Sequence, residues 1–168
     1  MTSLVVYESM FGATKALAEE IARALGDGGP ARVVEVGALA ADGPTLPDDV
    51  DLLVVGAPVH AFGMSRASTR RDAAKEQSPV ISATIGVREW LELLVVRPGL
   101  RFATFDTKVL TPRLPGSAAK AIDKHLRAAG AVRICPPRTF SVHGKADGLV
   151  DGELDAARAW AGTLTATR

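Results

Sequence analysis

The sequence is short of cysteine, of excess charge, of long apolar runs and of aromatic residues, and each shortage excludes something. Cys135 is the only cysteine in 168 residues, so no internal disulfide holds the fold, and a lone thiol suits a reducing compartment. Twenty Lys plus Arg against 19 Asp plus Glu leave a net charge of +1, without the global field that gathers nucleic acid or an anionic membrane. A charged partner has to be met by a local patch. No run of about 18 apolar residues occurs, and the amino end passes from MTS into LVVYES without the basic, apolar and cleavage regions of a secretory signal. A soluble cytoplasmic protein is expected. Aromatics make up 5% of the chain, which raises the question of what would stack on a planar ligand.

What is present is enough for one core. Hydrophobic residues are 47% of the chain, and at this length folding buries roughly 70% of the surface of the unfolded chain. One domain over residues 1–168 is expected. Residues 3–8 (SLVVYE) read as a strand feeding a helix over 14–25, where Leu17, Ile21 and Leu25 fall four apart beside Ala18 and Ala22. GDGGP at 26–30 stops that helix. A second strand is expected at 32–36, followed by a Gly/Pro/Asp-rich stretch, and a third at 51–56 (DLLVVG), continuously apolar as in strands covered on both faces.

Over residues 57–85 the pattern lapses, and a gap of that length inside a compact domain is functional or partly helical. Next comes a helix with Val87, Trp90, Leu91, Leu94 and Val95 on one face, then a fourth strand at 100–105. A helix over 116–129 carries Ala119, Ile122, Leu126 and Ala129 in register. A fifth strand at 131–142 is interrupted by Pro136 and Pro137. The last helix spans 153–165, with Asp151 as its N-cap and Leu154, Ala157, Ala161 and Leu164 as its buried stripe. Alternating strands and helices imply a three-layer, doubly wound α/β domain around a five-stranded parallel sheet. Ligands of such sheets sit outside the carboxyl ends of the strands. Three loops meet there: residues 9–14, 57–68 and 106–116.

The first of these, SMFGAT, sets the hydroxyls of Ser9 and Thr14 around Gly12 at the start of the first helix. Free N–H groups and the positive end of the helix dipole favour a phosphate at such a place; the same hydroxyls also read as plain helix caps. The loop is neither GxxxxGK[ST] nor GxGxxG, which removes support for nucleoside triphosphates and ordinary dinucleotides.

Here the chain resembles the flavodoxin family, whose phosphate loop after the first strand reads Ser/Thr, any residue, Thr, Gly, any residue, Thr. Ser9, Gly12 and Thr14 match, and Phe11 stands where that pattern has a hydroxyl. VVGAPVHAFGMS at 54–65 looks like the family's second flavin loop, and DGELDAARAWAGTL at 151–164 is similar to its final helix. The resemblance implies the strand order 2-1-3-4-5 and a noncovalent FMN at the junction of strands one and three. By position, Ser9, Met10, Phe11, Gly12, Ala13 and Thr14 would hold the phosphate. Pro58, Val59, His60, Ala61 and Phe62 would line one side of the ring, with Phe62 or His60 stacking on it. Asp106, Thr107 and Lys108 would approach the ring edge. The family's usual Trp and Tyr are absent from these loops.

The function so implied is electron transfer between redox partner proteins. The alternatives are an FMN-dependent quinone or nitro reductase whose 57–85 segment closes over substrate, and a non-redox or deazaflavin-binding domain. A phosphorylated receiver domain shares the strand order, but strand three ends Val55, Gly56, Ala57, Pro58, without the acceptor aspartate. No GxSxG nucleophile motif occurs. His125 and His143 lie on different elements without carboxylates or cysteine at ligand spacing, so no metal is expected. Cys135 is expected as a buried, inert thiol, and Trp90 and Trp160 as core. Arg66, Arg70, Arg71 and Lys75 against Asp72 and Glu76 give a local +2 beside the expected flavin edge. This patch reads either as a solvated helix face or as a surface that would face an acidic redox partner or a negatively charged ligand; neither nucleic acid nor membrane is expected.

Overall fold

The computed structural model describes residues 1–112 and 114–166. Strand β1 (Ser3–Tyr7) is buried along its whole length, as its unbroken apolar run requires of a strand covered on both faces. It pairs in parallel with β2 (Ala31–Glu35) on one side and with β3 (Leu52–Pro58) on the other. β3 hands the sheet on to β4 (Arg101–Val109). Beyond β4 the edge is filled by two short strands in succession, β5 (Val132–Arg133) and β6 (Arg138–Val142), both parallel to it. The order is β2-β1-β3-β4-β5, with β6 also beside β4: the expected doubly wound order, with a sixth strand. The one strand expected at 131–142 is two, because Pro136 and Pro137 have no N–H to give a ladder.

Side chains leave successive residues of a strand on opposite faces, and the two faces carry separate cores. On one face Val5, Tyr7, Leu52, Val54 and Phe105 pack against α1 (Ala13–Gly26) and α6 (Glu153–Ala166). Burying Leu17, Ile21 and Leu25 here contributes about 1.5–3 kcal/mol each. Phe105, Phe140 and Trp160 meet edge to face with centroids 6.1 to 6.2 Å apart. On the other face Leu4, Val6, Leu53, Val55 and Phe102 pack against α2 (Val36–Ala41), α4 (Val87–Leu93) and α5 (Ala118–Ala128). Trp90 is fully buried there, so both tryptophans are core.

Several local expectations are corrected. The stretch after β2 contains α2, which Glu35 caps by accepting from the Ala38 N–H. α4 ends at Leu93, and Val95 is exposed. Ala129 is exposed, because α5 closes one residue before it. On α6 Leu154 is exposed and Trp160 takes its place in the stripe with Ala157, Ala161 and Leu164. Gly152, rather than Asp151, begins that helix: its carbonyl accepts from the Ala156 N–H. Cys135 lies half-buried between β5 and β6 rather than within a strand, and burial pushes its thiol up. No helix among the described residues is long and apolar enough to cross a membrane.

Candidate functional site

At the carboxyl ends of β1, β3 and β4 the three connecting segments enclose a cavity of about 360 Å³. Its floor begins at the first loop. Ser9 is buried, and its hydroxyl accepts from the Gly12 N–H at 3.1 Å, folding residues 9–12 into a tight turn that delivers the chain into α1. Gly12 sits there at φ 110°, a conformation that side-chain-bearing residues avoid. The first intrahelical bond runs from the Ala16 N–H to the Gly12 carbonyl, so the N–H groups of Ala13, Thr14 and Lys15 have no carbonyl one turn back. Met10, Phe11, Ala13 and Thr14 line the cavity; Ser9 and Gly12 do not.

The outer side of this loop is tied down by a segment that sequence reading did not assign. The Ile81 N–H donates to the Met10 carbonyl, and the Ser82 N–H to the Ser9 carbonyl. The Ser9 N–H in turn donates to the Ser82 hydroxyl, which donates to Glu35 at 2.7 Å. Three bonds thus fix the loop to residues 81 and 82, and a fourth anchors Ser82 to Glu35. Their partners lie far away in sequence, which left no local signal.

Strand alternation decides what the third segment offers. β4 runs on to Val109, so Asp106, Thr107 and Lys108 belong to a strand and not to a loop. Thr107 and Val109 face the cavity. The Thr107 hydroxyl shares a 2.9 Å hydrogen bond with that of Thr14. Asp106 faces the other way: its carboxylate accepts from the Ser117 hydroxyl at 2.6 Å and the Ala119 N–H at 2.9 Å, capping α5. Lys108 donates to the Gly116 carbonyl. Of the three residues expected at the ring edge, Thr107 alone reaches the cavity.

The second segment enters as Pro58, Val59, His60 and Ala61, all lining the cavity. Residues 60–63 close a two-residue hairpin turn in which the backbones of His60 and Gly63 exchange both hydrogen bonds, 2.8 and 3.0 Å. Its central residues, Ala61 (φ 44°) and Phe62 (φ 72°), are both left-handed, as that turn requires, though neither is glycine. The turn sends Phe62 outward, 57% exposed and away from the cavity wall. Of the two expected stacking residues, Phe62 is therefore turned to solvent while His60 lines the cavity, with Phe11 as a second aromatic side chain there. His60 Nδ1 lies 3.2 Å from the Thr69 hydroxyl. Burial first, then the charges of Arg70 and Lys145, push the imidazole pKa down.

The 57–85 gap resolves into α3 (Ala67–Glu76), which supplies Thr69, Asp72, Ala73 and Glu76 to the cavity. Across from it Leu114, Val142 and Lys145 complete the wall, and Lys145 bridges to Glu76 at 2.8 Å. None of these was a sequence candidate. The lapse in periodicity pointed to α3, whereas Lys145 sits in an ordinary polar turn, KADG.

Arg70 leaves the expected basic patch. It is 5% exposed, gives two hydrogen bonds to Glu89 at 2.8 and 3.2 Å and one to the Ser65 hydroxyl, and lies 3.7 Å from Glu8. Glu8, fully buried after β1, accepts from Ser65 at Oε1, while its Oε2 has no partner among the described residues. Burial pushes its carboxyl up to about 7. The cluster bolts α3 and α4 to the end of β1. Lys75 pairs with Asp72, so the patch reduces to Arg66 and Arg71, both exposed. Among the described residues no group of three His, Cys, Asp or Glu side chains is placed to hold a metal ion.

No protein-family model and no curated protein sequence matches the chain. Solved structures do. Oxidised Flavodoxin 1 from Bacillus cereus superposes with a TM-score of 0.73 at 13% identity, covering 100% of this chain and 99% of that one. A flavodoxin from Streptococcus pneumonia TIGR4 gives 0.68 at 18% identity with both chains covered completely, and a flavodoxin from the domain Archaea gives 0.66 at 17%, covering 99% and 97%. At these identities the likeness speaks for architecture, and it agrees with the strand order and the helices on both faces: the chain has the flavodoxin-like fold.

Proposed function

We propose that the chain binds FMN noncovalently in this cavity and carries electrons between redox partner proteins. The observation that carries the reading is the cavity itself: three segments at the carboxyl ends of β1, β3 and β4 converge on it, with the amino end of α1 in its floor. Its volume falls in the range of small-molecule sites. The residues fit the cofactor in two respects. The unpaired first-turn N–H groups of α1 with Thr14 suit a phosphate, and Phe11, Val59, Val109, Leu114 and Val142 offer apolar walls to a flat ring. FMN would supply the redox chemistry, and the chain's part is to hold, orient and shield it. Arg66 and Arg71, exposed on the α3 side, would meet an acidic partner. Protein titrated with FMN should quench its fluorescence to saturation near one equivalent; fluorescence that never changes would remove the proposal.

The reductase reading draws on α3, which walls the cavity where an open carrier would leave the ring bare. Turnover of a nicotinamide and a quinone by the purified protein alone would favour it. Saturable binding of a deazaflavin in place of FMN would support the third reading.

A further inference from the structure

The hydrogen bonds of Thr69 beside His60 are all satisfied together only when one particular imidazole nitrogen carries the proton. The Thr69 hydroxyl has one hydrogen and two lone pairs. It donates to the Arg66 carbonyl at 3.0 Å and accepts from the Arg66 N–H at 2.9 Å. One lone pair is left for His60 Nδ1 at 3.2 Å, and only an Nδ1–H can use it. Nε2 then carries the imidazole lone pair. It makes no hydrogen bond to any described residue and is not a sealed atom, on a side chain that lines the cavity.

We propose that His60 Nε2 is the hydrogen-bond acceptor by which the cavity selects its occupant, a planar heteroaromatic molecule presenting an N–H or O–H at that point. This rests on the FMN reading and deepens it. The backbone is built for the task. The left-handed pair Ala61 and Phe62 fixes the direction in which His60 leaves the turn, and the backbone of Gly116 is pressed against Phe62 from behind. The charges facing the imidazole are Arg70 and Glu76 from α3 and Lys145 from the turn after β6; Asp72 stands on the same wall. Partial burial first, then the two cations, favour the neutral ring, the only state in which Nε2 can accept. A molecule bound through that lone pair is released as the imidazole takes up a proton.

The experiment has two arms. In the free protein at about pH 8, long-range proton–nitrogen NMR should place the His60 proton on Nδ1, and Thr69→Val should shift it toward Nε2; a wild-type proton on Nε2 overturns the proposal. FMN is then titrated at about pH 8 and about pH 5 into the wild type, His60→Gln and His60→Phe. Glutamine offers an oxygen near the Nε2 position that does not titrate. Relative to H60Q, the wild type should lose roughly tenfold in affinity between the two pH values, and H60F should bind about 3- to 10-fold more weakly than H60Q at pH 8. The phosphate titration is common to all three proteins and cancels in the ratios. FMN bound alike by all three, with the same pH dependence, overturns the His60 contact and leaves the FMN reading standing. No binding by the wild type at either pH overturns that reading, and the contact with it.

Discussion

A Cβ added to Gly116 would lie 1.9 Å from the carbonyl oxygen of Phe62. Backbone therefore meets backbone where the segment after β4 crosses the turn after β3, and no side chain fits between them. Gly116 also holds φ 96°. Gly116→Ala should cost at least about 1–2 kcal/mol in urea unfolding, from the left-handed backbone alone. It should also weaken FMN binding, since the turn that aims His60 must shift. Unchanged stability and affinity would show that the two segments part freely.

Glu8 ties stability to pH. Its folded pKa of about 7 lies above the ordinary carboxylate value near 4.5, so between those values the folded chain binds more protons than the unfolded chain. Stability from Glu8 is complete below about pH 4.5 and is lost as pH rises through 7, by an amount on the order of 3 kcal/mol. Glu8→Gln should flatten that part of the curve and leave the variant more stable than wild type at about pH 8. Urea midpoints across the pH range check it, and parallel curves for the two proteins would contradict it.

Neighbouring arginines should behave oppositely. Arg70→Ala strips buried Glu8 and half-buried Glu89 of their cation and should destabilise by about 3 kcal/mol. Arg71→Ala, on the exposed side of the same helix, should stay within about 0.5 kcal/mol. Thermal melts of the two variants decide whether the ion cluster bolts α3 down.

Adjacent residues of β4 should separate stability from binding. Asp106→Ala strips the Ser117 hydroxyl and the Ala119 N–H at the start of α5 of their carboxylate and should cost about 1–2 kcal/mol, with FMN affinity nearly unchanged. Thr107→Val breaks the pair with Thr14 in the cavity wall and should weaken FMN binding more than it weakens the fold. Equal effects on affinity would mean that strand alternation does not sort these side chains as described.

The layers were legible because apolar runs such as LVVY and LLVVG are too uniform to be half-exposed, and because Leu17, Ile21 and Leu25 keep helical spacing. The limits have equally local causes. FDTKV sets three polar residues, Asp106, Thr107 and Lys108, in a row, so the continuation of β4 looked like a loop, and Asp106, by its place in the third loop, looked like a ligand residue. Arg70 reads as one of four surface cations, because the carboxylates that bury it are 62 and 19 positions away. Phe62 was, with His60, an expected stacking group by its place in the second loop; its left-handed backbone, invisible in the residue type, turns it outward.

The divided strand beyond β4 has a consequence for how the molecule behaves among its own copies. A sheet margin with a long row of free N–H and C=O groups invites another chain to add a strand. Here the row is interrupted at Pro136 and Pro137. Past that break the flank of β6 is already taken: the Val150 N–H bonds to the Ser141 carbonyl, the Glu153 carboxylate accepts from the Ser141 N–H, and Leu149 bridges to Val142. A chain approaching this margin finds only the two-residue β5 with its pairing groups in line, so the fold resists fibre-like growth there by geometry.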